Sequence, residues 1–261
     1  MSQRYELLSV LSEGSYGTVF LANDRDADET VAVKVLDSDN GRVALKRIEN
    51  EVRANVIIHG VRGVAGFRGH YQTPWTTNLV FDVVDGVDLF GLMESRHFRP
   101  LSERRVKKIM STVAVCLSQC HQRGVAHRDI KLENIMIDKS GGALLVDWGL
   151  SSFFTFVNGR ETLSNDPCGS VLYMPPEIIR GGPIQATKVD AWAMGVTMHC
   201  LLFGMFPYSQ NEMLRKFQHT CIPLPDDDGQ VRVSRETRHK MSQLLTTDPK
   251  QRANINILVS K

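Results

Sequence analysis

The sequence predicts an α+β protein built as two lobes. Strand-like segments crowd the first third of the chain, and amphipathic or wholly apolar helical patterns fill the rest. The turn pair Asp85-Gly86 lies between the two regions and marks the seam. With 261 residues the chain is long enough for one large domain or two packed lobes, each with a core.

Tyr5–Leu11, Thr18–Ala22 and Thr30–Leu36 are rich in β-branched and aromatic residues, with turn residues between them, so three strands are expected. Arg42–Ile58 reads as a helix, because Val43, Ile48, Val52 and Val56 recur at spacings of four or five. Strands near Val64–Tyr71 and Asn78–Val83 complete the first lobe. Beyond Asp88, Ser102–Arg123 is a long amphipathic helix with Ser102 as its N-cap. Its basic run Arg104, Arg105, Lys107 and Lys108 reads as a solvated face. Ile135–Ile137 and Ala143–Val146 form a hairpin around Ser140-Gly141-Gly142, and Trp192–Phe203 and Arg235–Leu245 are helices. There are no repeats and no low-complexity tract.

A composition of 42% hydrophobic and 23% charged residues is that of an ordinary globular chain. A formal charge of +2 gives no argument for nucleic acid. Cys116, Cys120, Cys168, Cys200 and Cys221 complete no zinc spacing and read as reduced thiols of an intracellular protein, cytoplasmic or nuclear. The N-terminus has no apolar signal region and no myristoylation glycine. The most apolar run, Ala191–Phe206, includes His199 and two glycines and is short for a membrane span, so a buried core helix is expected.

Chemistry concentrates in H-R-D-I-K-L-E-N, His127–Asn134, and in D-W-G, Asp147–Gly149. Phosphoryl transfer needs metals to neutralise phosphates, cations to hold them and a carboxylate to orient the attacking hydroxyl. Asp129 and Asn134 share one loop and Asp147 ends the next strand, so the three could converge on Mg²⁺ and a hydroxyl. Upstream, L-S-E-G-S-Y-G-T-V-F, Leu11–Phe20, is a glycine-rich turn between apolar runs, and V-A-V-K ends on Lys34.

Together these motifs resemble eukaryotic-type Ser/Thr protein kinases from about Tyr5 to Arg252. The resemblance implies one kinase domain over 1–261. A small antiparallel N-lobe with one main helix (about 1–84) would be joined by a hinge (about 82–87) to a larger, mainly helical C-lobe (about 88–261). It implies ATP and Mg²⁺ as cofactors, proteins bearing Ser or Thr as substrates, and neither a nucleic-acid nor a membrane partner. Asp129 would be the base, Lys131 would stabilise the transferring phosphate, and Asn134 and Asp147 would hold the metal. Lys34 would grip the phosphates, with Glu51 as its partner and Glu49 the alternative on spacing. Leu11, Ser12, Gly14, Tyr16, Gly17, Val19, Ala32 and Met136 would surround the nucleotide. Phe81 would be the gatekeeper, Asp82 and Val84 would offer backbone groups to adenine, and Asp88 would reach ribose or substrate. Ser170 would bridge the base and Lys131, Asp190 would brace the catalytic loop, and Arg252 would pair with Glu177.

C-G-S-V-L-Y-M-P-P-E and D-W-G-L-S-S resemble the calmodulin-dependent kinase group, with AMP-activated-like and Pim-like features. That likeness implies basic residues before the target hydroxyl, met by Asp88 and Glu133. Cys200 stands where the most basophilic relatives have a second glutamate, which counts against a strong preference. Lys131 and Ser170 mark Ser/Thr rather than tyrosine specificity.

Four positions depart from the family. Ser12 replaces the first loop glycine, which predicts weaker ATP clamping without loss of activity. Trp148 replaces phenylalanine after the metal-binding aspartate, and Asn55 replaces an apolar residue one turn after Glu51. These two are expected to compensate, the Trp148 N–H donating to the Asn55 oxygen. Asp166 stands where a phosphorylated threonine is usual and is expected to pair with Arg128, giving basal activity, with Thr162 and Ser164 as further phosphosites. The competing readings are a pseudokinase scaffold, resting on these departures, and a small-molecule phosphotransferase. Retention of Lys34, Asp129, Asn134 and Asp147 argues against the first, and Lys131, Gly169-Ser170 and Pro176-Glu177 against the second. The chain starts near its first strand and stops soon after Arg252, so no autoinhibitory tail is expected.

Overall fold

Residues 4–14, 17–37, 41–226 and 232–259 are described by the structure, a computed structural model, with the backbone alone for 41–44. Five antiparallel strands open the chain: β1 (Tyr5–Gly14), β2 (Gly17–Asp24), β3 (Glu29–Asp37), β4 (Phe67–Gln72) and β5 (Thr76–Asp82). Their order is β1-β2-β3-β5-β4, which puts β3, the carrier of Lys34, at the centre. Alternation along β3 sorts its two faces. Val31 and Val33 pack with Ala22 and Val80, while Leu36 turns the other way onto Ile48, Phe67 and Leu79.

Helix α1 (Gly41–Ile58) lies across this second face. The expected apolar row through Val56 fails, since Val56 is 58% exposed. The buried row instead includes Ile48, Glu51, Ala54, Asn55 and Ile58, and polar residues at two of those positions disguise the periodicity. Val43, part of the expected row, has a side chain outside the described residues. Val64, expected in a strand, makes only a parallel bridge to Leu145, and β4 begins at Phe67.

The second lobe starts with β6 (Gly86–Asp88) and α2 (Leu89–Ser95), which Asp88 caps through a bond from the Gly91 amide. Ser102 caps α3 (Glu103–Gln122) as expected, and α3 buries Val106, Ile109, Met110, Val113 and Leu117. β7 (Val125–Ala126) precedes the catalytic loop, and β8 (Ile135–Asp138) and β9 (Ala143–Leu145) form the hairpin. Then come β10 (Ser152–Phe153), paired with β7, and a small hairpin of β11 (Phe156–Val157) and β12 (Arg160–Glu161). The rest is helical: α4 (Pro176–Ile179), α5 (Ala186–Phe203), α6 (Met213–Lys216) and α7 (Arg235–Leu244). The fold is thus the two-lobed α+β arrangement expected from the sequence.

α5 begins earlier than the expected Trp192, because a helix buried on every side has no amphipathic edge to reveal its start. A Cβ on its Gly195 would stand 2.9 Å from the Leu245 side chain, so glycine permits that close crossing. Among the described residues no helix is long and apolar enough to cross a membrane. Beside α5, Arg252 meets Glu177 through two bonds of 2.7 and 2.8 Å, and its guanidinium lies 4.9 Å from the Trp192 ring centroid. This buried, bidentate pair fastens Glu177, the last residue of the segment 147–177 that the kinase resemblance makes the activation segment, to the C-terminal residues.

α5 also buries His199. Its Nδ1 donates to the Met205 carbonyl at 2.8 Å, while Nε2 has no partner among the described residues. Burial pushes its pKa down from 6.5 to about 4. The unfolded chain therefore binds the extra proton first as pH falls, so stability is full above about 6.5 and declines towards pH 4. The full decline is roughly 3 kcal/mol. Urea unfolding at neutral and mildly acidic pH should show this loss, and His199→Leu should shrink the difference between the two conditions.

Candidate active site

Register in the sheet assembles the upper half of the site. Ser12 pairs with Val19, Val19 with Lys34, and Ala32 with Phe81, so these residues share neighbouring positions across four strands. At Gly17 φ is +155°, and an added Cβ would stand 2.4 Å from the Val35 carbonyl oxygen. Only glycine fits that approach. Gly14 pairs with Gly17 at the turn, and Tyr16 lies outside the described residues.

Lys34 Nζ donates to Glu51 Oε1 at 2.6 Å and to Asp147 Oδ1 at 2.7 Å. Burial opposes the Lys34 charge, yet the two carboxylates hold its pKa above the ordinary range. Burial raises the Glu51 pKa; Asp147, which burial would also raise, is held low by Lys34. The Asp147 side chain is 39% exposed, so this carboxylate opens onto the space between the lobes. Glu49 is exposed, which settles the lysine's partner as Glu51. A Cβ on Gly149 would stand 3.0 Å from Glu51 Oε2 and 3.2 Å from Asp147 Oδ1, so a side chain there would crowd both acids.

The lower half is built on Asp190, which is wholly buried in α5. It accepts from the backbone amides of His127 (3.0 Å) and Arg128 (2.7 Å), and His121 Nε2 lies 2.7 Å away. Burial alone would raise its pKa; the His121 ring and these amides keep it low. The two amide bonds hold Arg128 at φ +64°, and Asp147 sits at φ +61°. Each such non-glycine conformation costs on the order of 1 kcal/mol and persists only where the surroundings impose it.

Asp129 follows directly. Its Oδ1 accepts from the Ser170 amide at 3.0 Å and the Ser170 hydroxyl at 2.9 Å. Its Oδ2 accepts from Asn134 Nδ2 at 3.1 Å and lies 2.9 Å from Lys131 Nζ. Lys131 also donates to Ser170 Oγ at 3.1 Å, the expected bridge. Burial works against the Lys131 charge, but Asp129 keeps its pKa raised. Because Asn134 donates through Nδ2, its Oδ1 is the atom left to meet a cation, and the Val146 amide bonds the Asn134 carbonyl at 3.1 Å next to Asp147. Met136 is half-buried and Glu133 exposed.

Other expectations divide. Arg128 donates to the Asp166 carbonyl at 2.8 Å and to its carboxylate at 3.1 Å, forming the expected pair. Thr162 and Ser164 hydroxyls accept from the amides of Thr155 and Asp166. The Asp82 amide is spent on the Gly66 carbonyl at 2.7 Å, which leaves its own carbonyl, with Val84, as the backbone group at the hinge. Asp88 commits Oδ1 to capping α2. Leu11 and Ser12 are exposed on β1. The Trp148–Asn55 bond does not form. Asn55 Nδ2 donates to the Glu51 carbonyl, one turn back on its own helix, and both Asn55 Oδ1 and Trp148 Nε1 have no partner among the described residues. Trp148 instead packs on His127, ring centroids 4.5 Å apart.

Two contacts that carry no sequence signal tie α1 to the lower lobe. Arg53 lies over the Phe153 ring at 4.1 Å, and Arg123 Nη1 donates to the Ile57 and His59 carbonyls, each at 2.9 Å. They hold the helix that presents Glu51.

The chain matches the protein kinase domain over residues 5–261 and belongs to that family. It is 31% identical, over 96% of its length, to ribosomal protein S6 kinase alpha-4 of Homo sapiens, of which the match covers 33%. It is 27% identical over 98% of its length to NUAK family SNF1-like kinase 1 of Mus musculus, covering 38% of that protein. Identity is 28% over 97% of the chain to CBL-interacting protein kinase 16 of Oryza sativa subsp. japonica, covering 54%. The chain thus spans from a third to just over half of these relatives. Its likeness is to Ser/Thr kinases of the calmodulin-dependent-kinase-related group, in line with the motifs.

The orphaned Asn55 oxygen yields a stability prediction. A buried acceptor without a donor costs about 1–3 kcal/mol, and an apolar replacement of similar size removes that cost. Asn55→Leu should therefore raise the thermal midpoint by several degrees. A midpoint that is unchanged or lower would show that the amide is needed where it stands.

Proposed function

We propose that this chain is an active Ser/Thr protein kinase that transfers the γ-phosphate of Mg-ATP to protein hydroxyls. The observation that carries the reading is Asp129, oriented through both carboxylate oxygens by Ser170, Lys131 and Asn134. Such a carboxylate can accept a hydrogen bond from a substrate hydroxyl, aim its oxygen and receive its proton as the new ester bond forms. The Lys131 ammonium, beside it, offsets the negative charge that gathers on the transferring group.

The residues present fit the nucleotide and its metal. Asn134 Oδ1 and the open side of Asp147 are hard oxygen donors of the kind Mg²⁺ takes. When bound, Mg-ATP supplies the transferable phosphoryl group and the charge that polarises it. Lys34 would hold the phosphates, with Glu51 keeping its ammonium in place. Leu11, Ser12, Gly14, Val19, Ala32, Phe81 and Met136 would flank base and ribose, with Asp82 and Val84 at the hinge. Asp88 and Glu133 present acids for a preceding arginine or lysine in the substrate, and the Arg128–Asp166 pair supports activity before any activation-segment phosphorylation.

A positional peptide-library assay with Mg-ATP, run beside Asp147→Asn, tests the whole reading. Wild type should phosphorylate Ser or Thr with basic residues favoured upstream, and the variant should lose at least about a hundredfold. Equal signal from the two would leave no kinase. Asp166 is 72% exposed, so its ion pair is worth about 0.2–1 kcal/mol. Asp166→Ala should lower the rate about two- to fivefold, and phosphatase-treated wild type should stay active. An inert dephosphorylated protein would reverse the activation claim. Ser12→Gly should lower the Michaelis constant for ATP with little change in kcat.

A further inference from the structure

On the second lobe, away from the site above, the β11–β12 hairpin forms one wall of a groove of about 880 Å³. The remaining walls come from the end of α3, the start of α5 and the residues around Lys250 and Asn256. The groove is both apolar and basic. Phe156 and Leu163 stand 60% and 56% exposed at its margin, more than a lone surface hydrophobic would need. Phe156 is held in place by an edge contact to Phe154, ring centroids 5.6 Å apart, and Phe154 in turn meets His121 at 6.2 Å. An aromatic row is therefore ready before any partner arrives, which reduces the ordering cost of binding.

The charges around this row are mostly positive. Arg160, Lys188 and Lys250 line the groove against a single acid, Glu161. Glu161 is buried and already engaged, because it accepts from both the amide and the hydroxyl of Thr187. Lys188 spends its ammonium on the Arg252 carbonyl, whereas Arg160 and Lys250 project as exposed cations. The lining thus carries a net charge of +2, as much as the whole chain. β11 and β12 pair only with each other among the described residues, so the ribbon also has open backbone edges.

We propose that this groove docks an extended acidic peptide segment of a partner protein, with a phenylalanine or leucine set between glutamates or aspartates. The apolar side chain lies on Phe156 and Leu163, and its carboxylates face Arg160 and Lys250. Charge complementarity selects this occupant over a neutral or basic one. Because the hairpin lies in the same segment as Asp166 and Ser170, occupancy also steadies those residues.

The test is fluorescence anisotropy with labelled Glu-Glu-Phe-Glu-Glu-Leu, which has no hydroxyl to phosphorylate, in the absence of ATP. Its result is therefore independent of catalysis. Saturable micromolar binding that weakens with salt is expected, and the same peptide with lysine for glutamate should not bind. The pair Arg160→Glu and Lys250→Glu, and separately Phe156→Ser, should each weaken binding at least about tenfold. Trp75→Ala, on the opposite lobe, should leave binding unchanged, and near-UV circular dichroism checks that each variant is folded. If the charge-reversed pair misfolds, Arg160→Ala with Lys250→Ala serves in its place. No saturation by about 1 mM, equal affinity in the variants, or equal competition by a short oligothymidylate would each overturn the proposal.

Discussion

Lys34 holds the two lobes in one arrangement because its single ammonium is shared by carboxylates from different parts of the chain. Glu51 comes from α1 and Asp147 from the loop after β9, and each bond is shorter than 2.8 Å. A lysine this buried needs compensation, and removing one partner from a buried ionic cluster costs about 3–5 kcal/mol. The sheet, the helix and the loop are thus coupled through one charge balance. Arg53 and Arg123 serve the same end at a distance, since they fasten α1 to the lower lobe by a ring face and by two carbonyls.

Beneath this triangle the lower lobe works by imposing backbone conformation. Asp190 has no role at the reacting atoms, but it captures the amides of His127 and Arg128 and so turns the chain that leads to Asp129. Once turned, Arg128 reaches both the Leu150 carbonyl and Asp166, which joins catalytic loop and activation segment. Ser170 closes the circle on Asp129. Positioning therefore passes from a buried carboxylate to a strained backbone and then to Asp129.

The residues proposed for catalysis are legible in the sequence because phosphoryl transfer demands particular residue types at fixed separations. The structure brings Lys34 together with Glu51 and Asp147, and Asp129 together with Lys131 and Asn134. Legibility failed where burial and polarity part company. α1 buries Ile48 as its apolar spacing suggested, but it hides Glu51 and Asn55 while exposing Val56, so the spacing misplaced part of the buried face. α5, buried all round, carries no periodicity to mark its start. Trp148 and Asn55 were read as partners on chemistry alone, but a side-chain amide can turn back to its own helix, and this one does. The groove by β11 and β12 left no trace, because its walls come from segments far apart in the chain.

The crowding at Gly17 bears on which changes this chain could have accumulated. A side chain there would drive into the backbone of β3 at Val35, the residue after Lys34, so substitution at that position carries an immediate steric penalty. Ser12, by contrast, pairs with Val19 just past a register shift in β1, and its backbone is not in the positive-φ region, so an ordinary L-residue fits there. The loop's glycines are therefore unequal under mutation. One accepts serine without backbone strain, while the other is closed to a side chain so long as the strand beneath it stays where it is.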